Sequence, residues 1–337
     1  MLIGSRFSNY LLPDQIGSLE IEPALHSLSK GRASNQPEIQ ILLSVLESLA
    51  LLDFQTTEIN YRYREEESRD IATSIRRSVA QEGFLNRIKI ESDGIARAPQ
   101  VRDGGTRKVL ERRDFAIEIH GSGRIAFSLL GALIASGFDL AQIVNGGEIG
   151  PMDAIGNCIN RKDIGLNAKI KNEELLNDSS LYPEPLQISK RADLIISIGS
   201  PFPEVLQTWN RERIPQLFLD FDNPGEIRIG PQIVPGMGAC YNCVNIAENE
   251  GGRPLLDSLS RALRPSQERE ISQIKNLEVT TALATFSAGV VALLTTQIAA
   301  TGKSDLFQKS ALYSTLKFLE PKITSWEQSP RCGCNWI

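Results

Sequence analysis

The residues best equipped for chemistry carry sulfur, and they come in pairs. Cys240 and Cys243 form CYNC, and Cys332 and Cys334 form CGC. Thiolates are soft ligands, and four of them suit a tetrahedral Zn²⁺ that keeps no open position for catalysis. Such a site has to fold the CGC segment back onto the middle of the chain. Two separate surface pairs or redox-active pairs are the competing readings. Redox chemistry is the weaker one, because CYNC is not expected to open a helix directly after a strand. Cys158 stands alone and reads as a buried thiol, since a nucleophile needs a base and the chain has two histidines, His26 and His120. No catalytic residue is assigned.

A second feature is the stretch FAIEIHGSGRIAFSLLGALIASG, Phe115 to Gly137. An apolar run, a glycine turn and an apolar helix follow one another. A helix that opens on glycines presents free N–H groups to a phosphate. Gly121 and Gly123 fit that use. Arg124 places a large side chain at the turn, and Ala126 replaces the third glycine. A carboxylate for a ribose is expected after the next strand. There the sequence reads Val144, Asn145, Gly146 and Gly147, with Glu148 a few residues late. The turn is therefore expected to pack strand against helix, with no nucleotide required. His120, beside it, is expected to cap a strand end.

The elements that position these groups follow from the pattern. The 337 residues allow two domains. With 41% hydrophobic and 23% charged residues and a net charge of -5, the chain reads as an ordinary globular protein with no signature for nucleic acid or an anionic membrane. The opening MLIGSRFSNY lacks a long apolar run, so a cytoplasmic protein is expected. Strands are expected at Phe115–Ile119, Gln142–Val144, Leu194–Ile198 and Leu217–Phe221, with a helix from Ile125 to Ser136. Alternating strands and helices imply an α/β, Rossmann-like domain with a mainly parallel sheet. Gly225–Gly236 reads as a β-rich crossing segment. The uncharged run Val279–Gly302 is long enough to span a membrane. It carries six threonines, a serine and a glutamine, so a helix packed inside the protein is expected.

Ahead of this domain, residues 1–58 hold short apolar segments and an amphipathic helix, Pro37–Phe54. Tyr61–Asp70 is a charged link, Ile71–Gly83 a further helix, and 96–106 a loop. The expected division is 1–90 for a small α+β unit, 91–107 for a linker and 108–337 for the α/β domain.

Taken together, the GxG turn, DIG (Asp163–Gly165), ADLIISIGS (Ala192–Ser200), GPQIVPGMGACYNC (Gly230–Cys243) and the closing CGC resemble the ThiF/MoeB and ubiquitin-activating-enzyme fold. In that family the four cysteines hold a structural zinc, and active members adenylate a carboxylate with ATP and Mg²⁺. The resemblance places the ribose-binding aspartate near Asn145 or Gly146, the Asn-x-x-Arg region near Ala154 and Ile155, and the lysine after DIG at Leu166, with Lys169 close by. It places the paired acids of a DATD stretch at Ser197 and Ser200. Without those carboxylates Mg²⁺ lacks hard oxygen ligands, and without the basic groups the charge developing on the phosphates is unsupported. ATP is not expected as a cofactor.

RKVLERRDFAIEIHGSGRIAFSLLGALIASG and DIGLNAK are similar, more narrowly, to the ThiF-like proteins of thiazole/oxazole-modified and thiopeptide (RiPP) pathways. That likeness implies a winged-helix-like peptide-recognition element in residues 1–90. It implies a precursor leader peptide and a YcaO-type cyclodehydratase as partners, and a homodimer. Strand addition gives such peptide capture a physical basis. Leu19, Ile21, Leu25, Leu42 and Leu46 are the candidate contacts. The alternatives are an active ATP-dependent adenylating enzyme and a nicotinamide-dependent oxidoreductase. The missing ribose acid and the zinc cysteines argue against the last.

Overall fold

The structure, a computed structural model, describes residues 2–5, 8–11, 40, 85–95, 105–144, 146–154, 158–182, 186, 189–221, 224–250 and 279–334. The chain divides into two compact units, Met1–Val109 and Leu110–Ile337.

In the first unit, strands β1 (Leu2–Ser5) and β2 (Ser8–Leu11) pair antiparallel. A helix α1 follows at 85–95, and α2 (Thr106–Glu111) crosses the division. The expected linker, 91–107, thus contains helical residues. Leu19, Ile21, Leu25, Leu42 and Leu46, and the helix expected at Pro37–Phe54, lie outside the described residues.

The second unit is built on a seven-stranded sheet. Its strands are β3 (Ile117–His120), β4 (Ala141–Val144), β5 (Leu194–Ile198), β6 (Gln216–Asp220), β7 (Glu226–Ile233), β8 (Lys309–Ser314) and β9 (Lys322–Ser325). They lie in the order β4-β3-β5-β6-β7-β8-β9. The first four are parallel, as their crossover helices require. β7, β8 and β9 add to them antiparallel. Every residue of β5, LIISI, is buried, which suits a central parallel strand covered on both faces.

Helix α3 (Arg124–Ala135) follows β3, α4 (Ala168–Ser179) precedes β5, and α5 (Pro203–Arg211) joins β5 to β6. Helix α6 (Tyr241–Glu250) follows β7, and α7 (Thr281–Thr301) precedes β8. One face of the sheet supplies Ile117, Ile119, Ile196, Leu217 and Ile229 to a core completed by α3 and α7. On the other face Ile195 and Phe218 pack with Trp209 and Tyr241. Full burial of each such side chain contributes roughly 1.5–3 kcal/mol.

The uncharged run is a helix, and its Leu283, Ala284, Ala288, Val291 and Ile298 face lies in the core, as expected. Its other side is open: Leu293 is 67% exposed. β5 matches the sequence reading, α3 is shifted by one residue from the expected Ile125–Ser136, and the remaining parallel strands are offset by one or two residues. The sequence reading lacked α4, α5 and the β8–β9 hairpin. AKIKNEELLNDS is mostly polar and buries only Ala168, Lys171, Leu175 and Leu176, so no wide apolar stripe marks it as a helix. β9 buries none of its side chains, so no apolar alternation marks it.

Candidate metal centre and glycine turn

The metal centre is assembled from two distant turns. After β7 the chain turns through VPGMGA, and Cys240 lies immediately before α6, which carries Cys243. The first pair therefore opens a helix, but after a turn and not directly after a strand, in keeping with the sequence expectation. The CGC segment returns past the β8–β9 hairpin. The four sulfurs lie within 4.8 Å of one another. Cys240 and Cys332 are 3.3 Å apart, Cys243 and Cys334 3.5 Å, and Cys240 and Cys243 3.7 Å. Four thiolates about 2.3 Å from a zinc ion at tetrahedral angles stand about 3.8 Å apart. These three separations thus lie within about half an ångström of a tetrahedral shell, and all four sulfurs lie within 4.8 Å of one another.

Their surroundings fit thiolate ligands as well. Ser329 N–H donates to Cys243 Sγ at 3.3 Å, Asn242 Nδ2 to Cys332 Sγ at 3.2 Å and Gln328 Nε2 to Cys334 Sγ at 3.4 Å. Burial pushes the Cys240 and Cys243 thiols up, and the neighbouring cysteines add to this. Burial also acts against the Cys334 thiolate, but the hydrogen bonds from Gln328 and the adjacent thiols outweigh it and hold that thiol low. A dication in the middle reverses the cost of bringing thiolates together.

The glycine turn lies where doubly wound sheets bind ligands. β3 opens the sheet, β4 adds on one side and β5 on the other, so the carboxyl ends of β3 and β5 flank a switch point. Gly121 has φ +138, and a Cβ on it would stand 2.8 Å from Ile198 Cβ at the end of β5. Its lack of a side chain is needed by the packing of two strands. Gly123, φ +92, is the N-cap of α3 without a side-chain cap.

Arg124 does not fill the turn as the sequence suggested. Its guanidinium donates to the Met152 carbonyl at 2.8 Å and to Thr281 Oγ1 at 3.2 Å. The short 3₁₀ turn Pro151–Asp153 brings a buried carboxylate alongside instead. Asp153 Oδ2 accepts from Gly150 N at 2.7 Å, and its Oδ1 lies 3.8 Å from where a Cβ on Gly123 would be. A carboxylate suits the positive end of α3 and repels a phosphate placed there. The sequence reading missed Asp153. Its only sequence signal was the N-terminal Gly-Pro of a tight turn.

The two serines at the end of β5 are tied into the structure. Ser197 Oγ donates to the Gly199 carbonyl at 3.0 Å, and Tyr241 Oη donates to Ser200 Oγ at 3.1 Å. Tyr241 stacks on Phe218, with ring centroids 4.3 Å apart. Glu148 is exposed and bridges to Asn167 through the backbone. His120 Nε2 is 3.0 Å from Glu118 Oε2 and meets Trp209 edge-on at 4.8 Å. A cavity of about 690 Å³ runs along β4, lined by Glu118, Gln142, Lys169 and Asn172, and none of Gly121, Gly123 and Arg124 lines it.

The DIG aspartate has a structural task. Asp163 Oδ2 accepts from Asn160 N at 2.7 Å, and its Oδ1 is 3.1 Å from Lys171 Nζ, which also meets Glu174 at 3.2 Å. The Asp163 and Lys171 side chains are 2% and 7% exposed. Burial works against both charges, but the hydrogen bonds and the mutual attraction prevail, lowering Asp163 and raising Lys171. Cys158 sits nearby against Gly131, its thiol raised by burial.

No family model and no curated protein matches the chain. Solved structures do. Escherichia coli MccB in complex with MccA-N7isoASN aligns with TM-score 0.60 at 13% identity, covering 100% of this chain and 95% of its own. MccB with ATP aligns at 0.61 and 12%, covering 99% and 94%. PaaA aligns at 0.61 and 12%, covering 98% and 99%. The ThiF/MoeB-like fold that the motifs suggested is the fold of this chain, shared over nearly its whole length with MccB and PaaA.

Proposed function

We propose that this chain is a biosynthesis protein for ribosomally made, modified peptides. It binds the leader region of a precursor peptide and presents the core to a YcaO-type cyclodehydratase that forms azolines or azoles. It performs no adenylation itself. The observation that carries this reading is the end of β5, where hydroxyls at Ser197 and Ser200 are bound to Gly199 and Tyr241 in place of metal-binding carboxylates. The Asp153 carboxylate beside Gly123 adds to it. The fold likeness to MccB, solved with the MccA peptide, supports peptide capture.

The peptide-recognition element is assigned to residues 1–90, with Leu19, Ile21, Leu25, Leu42 and Leu46 as contacts. Cys240, Cys243, Cys332 and Cys334 hold a structural zinc. The protein works in the cytoplasm as a homodimer. The uncharged outer side of α7, with Leu293, and the exposed Leu316 and Leu319 of the β8–β9 hairpin supply its contact.

The second reading, an active adenylating enzyme, draws on the glycine turn at the switch point and on the ATP complex of MccB. Reconstitution separates the two. Precursor peptide and the cyclodehydratase are incubated with ATP, with and without this chain, and ring formation is followed by mass spectrometry. Rings that need this chain but form equally well with a Gly123→Glu variant support delivery. Pyrophosphate release by this chain alone, in the presence of the peptide, supports the enzyme.

A further inference from the structure

Gln308 has a left-handed backbone, φ +57, one of two non-glycine residues with positive φ among those described. A non-glycine residue held there is strained and persists only where its surroundings impose it. Its main chain is fixed on both sides. Gln308 N donates to the Gln232 carbonyl at 3.1 Å, and its own carbonyl accepts from Trp326 N at 2.9 Å. The residue thus sits just before β8, bonded to β7 and to the residue after β9. This conformation sends its side chain onto the turn that carries the first cysteine pair.

There the carboxamide uses both of its ends. Oε1 accepts from Ala239 N at 2.7 Å, and Nε2 donates to the carbonyls of Met237 and Ala239 at 3.2 and 3.1 Å. A side chain at 238 would meet this amide: a Cβ on Gly238 would stand 3.2 Å from its Cδ and Oε1. Ala239 immediately precedes Cys240. Three hydrogen bonds from one side chain therefore grip the backbone on the N-terminal side of the first two ligands.

We propose that Gln308 is a positioning residue for the metal centre: it clamps the 237–239 backbone so that Cys240 and Cys243 are held facing the CGC segment before the metal arrives. This rests on the reading of the four cysteines as a zinc site. Groups behind the direct ligands typically change metal affinity 10- to 100-fold when removed.

Two variants test it. Gln308→Gly accepts the backbone conformation and removes the clamp. Gln308→Glu keeps the shape and the acceptor but loses both N–H donors and sets a carboxylate against two carbonyls. Zinc transfer to a chromogenic chelator and the thiolate-to-cobalt absorption bands of the Co²⁺-substituted protein are recorded, with thermal unfolding in excess zinc. Both variants are expected to release zinc about 10- to 100-fold faster than the parent. Both should show altered cobalt bands, while Gln308→Gly unfolds in excess zinc near the parent temperature. Release rates and cobalt bands equal to the parent's overturn the clamp, even if unfolding temperatures fall. A parent protein that purifies without zinc and gives no thiolate–cobalt bands overturns the metal reading itself.

Discussion

Replacing Gly121 by alanine separates the structural use of the glycine turn from a nucleotide-binding one. The added Cβ would lie 2.8 Å from Ile198 Cβ, where carbon atoms ordinarily approach to about 3.5–4.0 Å. Ile198 is 4% exposed and ends a strand flanked by β3 and β6, so it has little space to retreat. Forcing an extra carbon into a packed core costs typically 1–3 kcal/mol. The backbone at φ +138 adds roughly another 1–3 kcal/mol for a residue with a side chain. The sum is about 2–6 kcal/mol, and in a unit of this size each kcal/mol moves Tm by about 2–4 °C. Gly123→Ala bears only the backbone cost at φ +92, since its nearest atom is at 3.8 Å, an ordinary contact. About 1–3 kcal/mol is expected there. Calorimetry with and without ATP–Mg²⁺ should place Tm of Gly121→Ala below that of Gly123→Ala, both below the parent, with no dependence on nucleotide. A Gly121→Ala protein as stable as Gly123→Ala would refute the packing explanation of this glycine.

Lys171→Met strands the Asp163 carboxylate in the core and is expected to cost about 3–5 kcal/mol near neutral pH. Against burial, the Asn160 N–H and Lys171 hold Asp163 low in the folded state, so that stabilisation is present above the ordinary aspartate range and is lost as pH falls through the lowered value. In the variant the lowering by Lys171 is lost while that by the Asn160 N–H and Lys162 remains, so Asp163 lies higher than in the parent and the Tm gap should narrow as pH drops from about 6 to about 4. A gap that widens contradicts the ion-pair account. Cys243→Ser should cut zinc content and lower Tm, because structural zinc contributes folding energy directly; full zinc content measured by atomic absorption would exclude this cysteine from the shell. Burial raises the Cys240 and Cys243 thiols, so binding must displace their protons. Zinc retention in a chelator assay should therefore fall steadily between about pH 8 and about pH 5. Retention independent of pH would speak against thiolate ligation.

What the sequence made legible follows from which signals are local. β5 is a short apolar run ended by Gly199, and α3 a long, largely apolar run between Gly123 and Ser136, so their types could be read directly and their limits to within one residue. The cysteine pairs announced themselves by spacing, and the structure brings all four sulfurs together. The hairpin that carries Gln308 at its entrance was not legible. Its outer strand exposes most of its side chains and takes its order from the neighbouring strand. Arg124 was misread because a side chain's direction depends on partners far along the chain, here Met152 and Thr281. Asp153 was missed for the same reason: nothing in GPMD says that a 3₁₀ turn will bring its carboxylate beside Gly123.

The central claim is that this chain captures a peptide without using a nucleotide. Its most direct test is fluorescence anisotropy of a labelled leader peptide, taken from the short precursor gene nearest to this one, titrated with the full chain with and without ATP–Mg²⁺. Saturable binding with the same Kd in both conditions is the predicted result. Binding that appears only with ATP–Mg²⁺, or no binding at all, would contradict it.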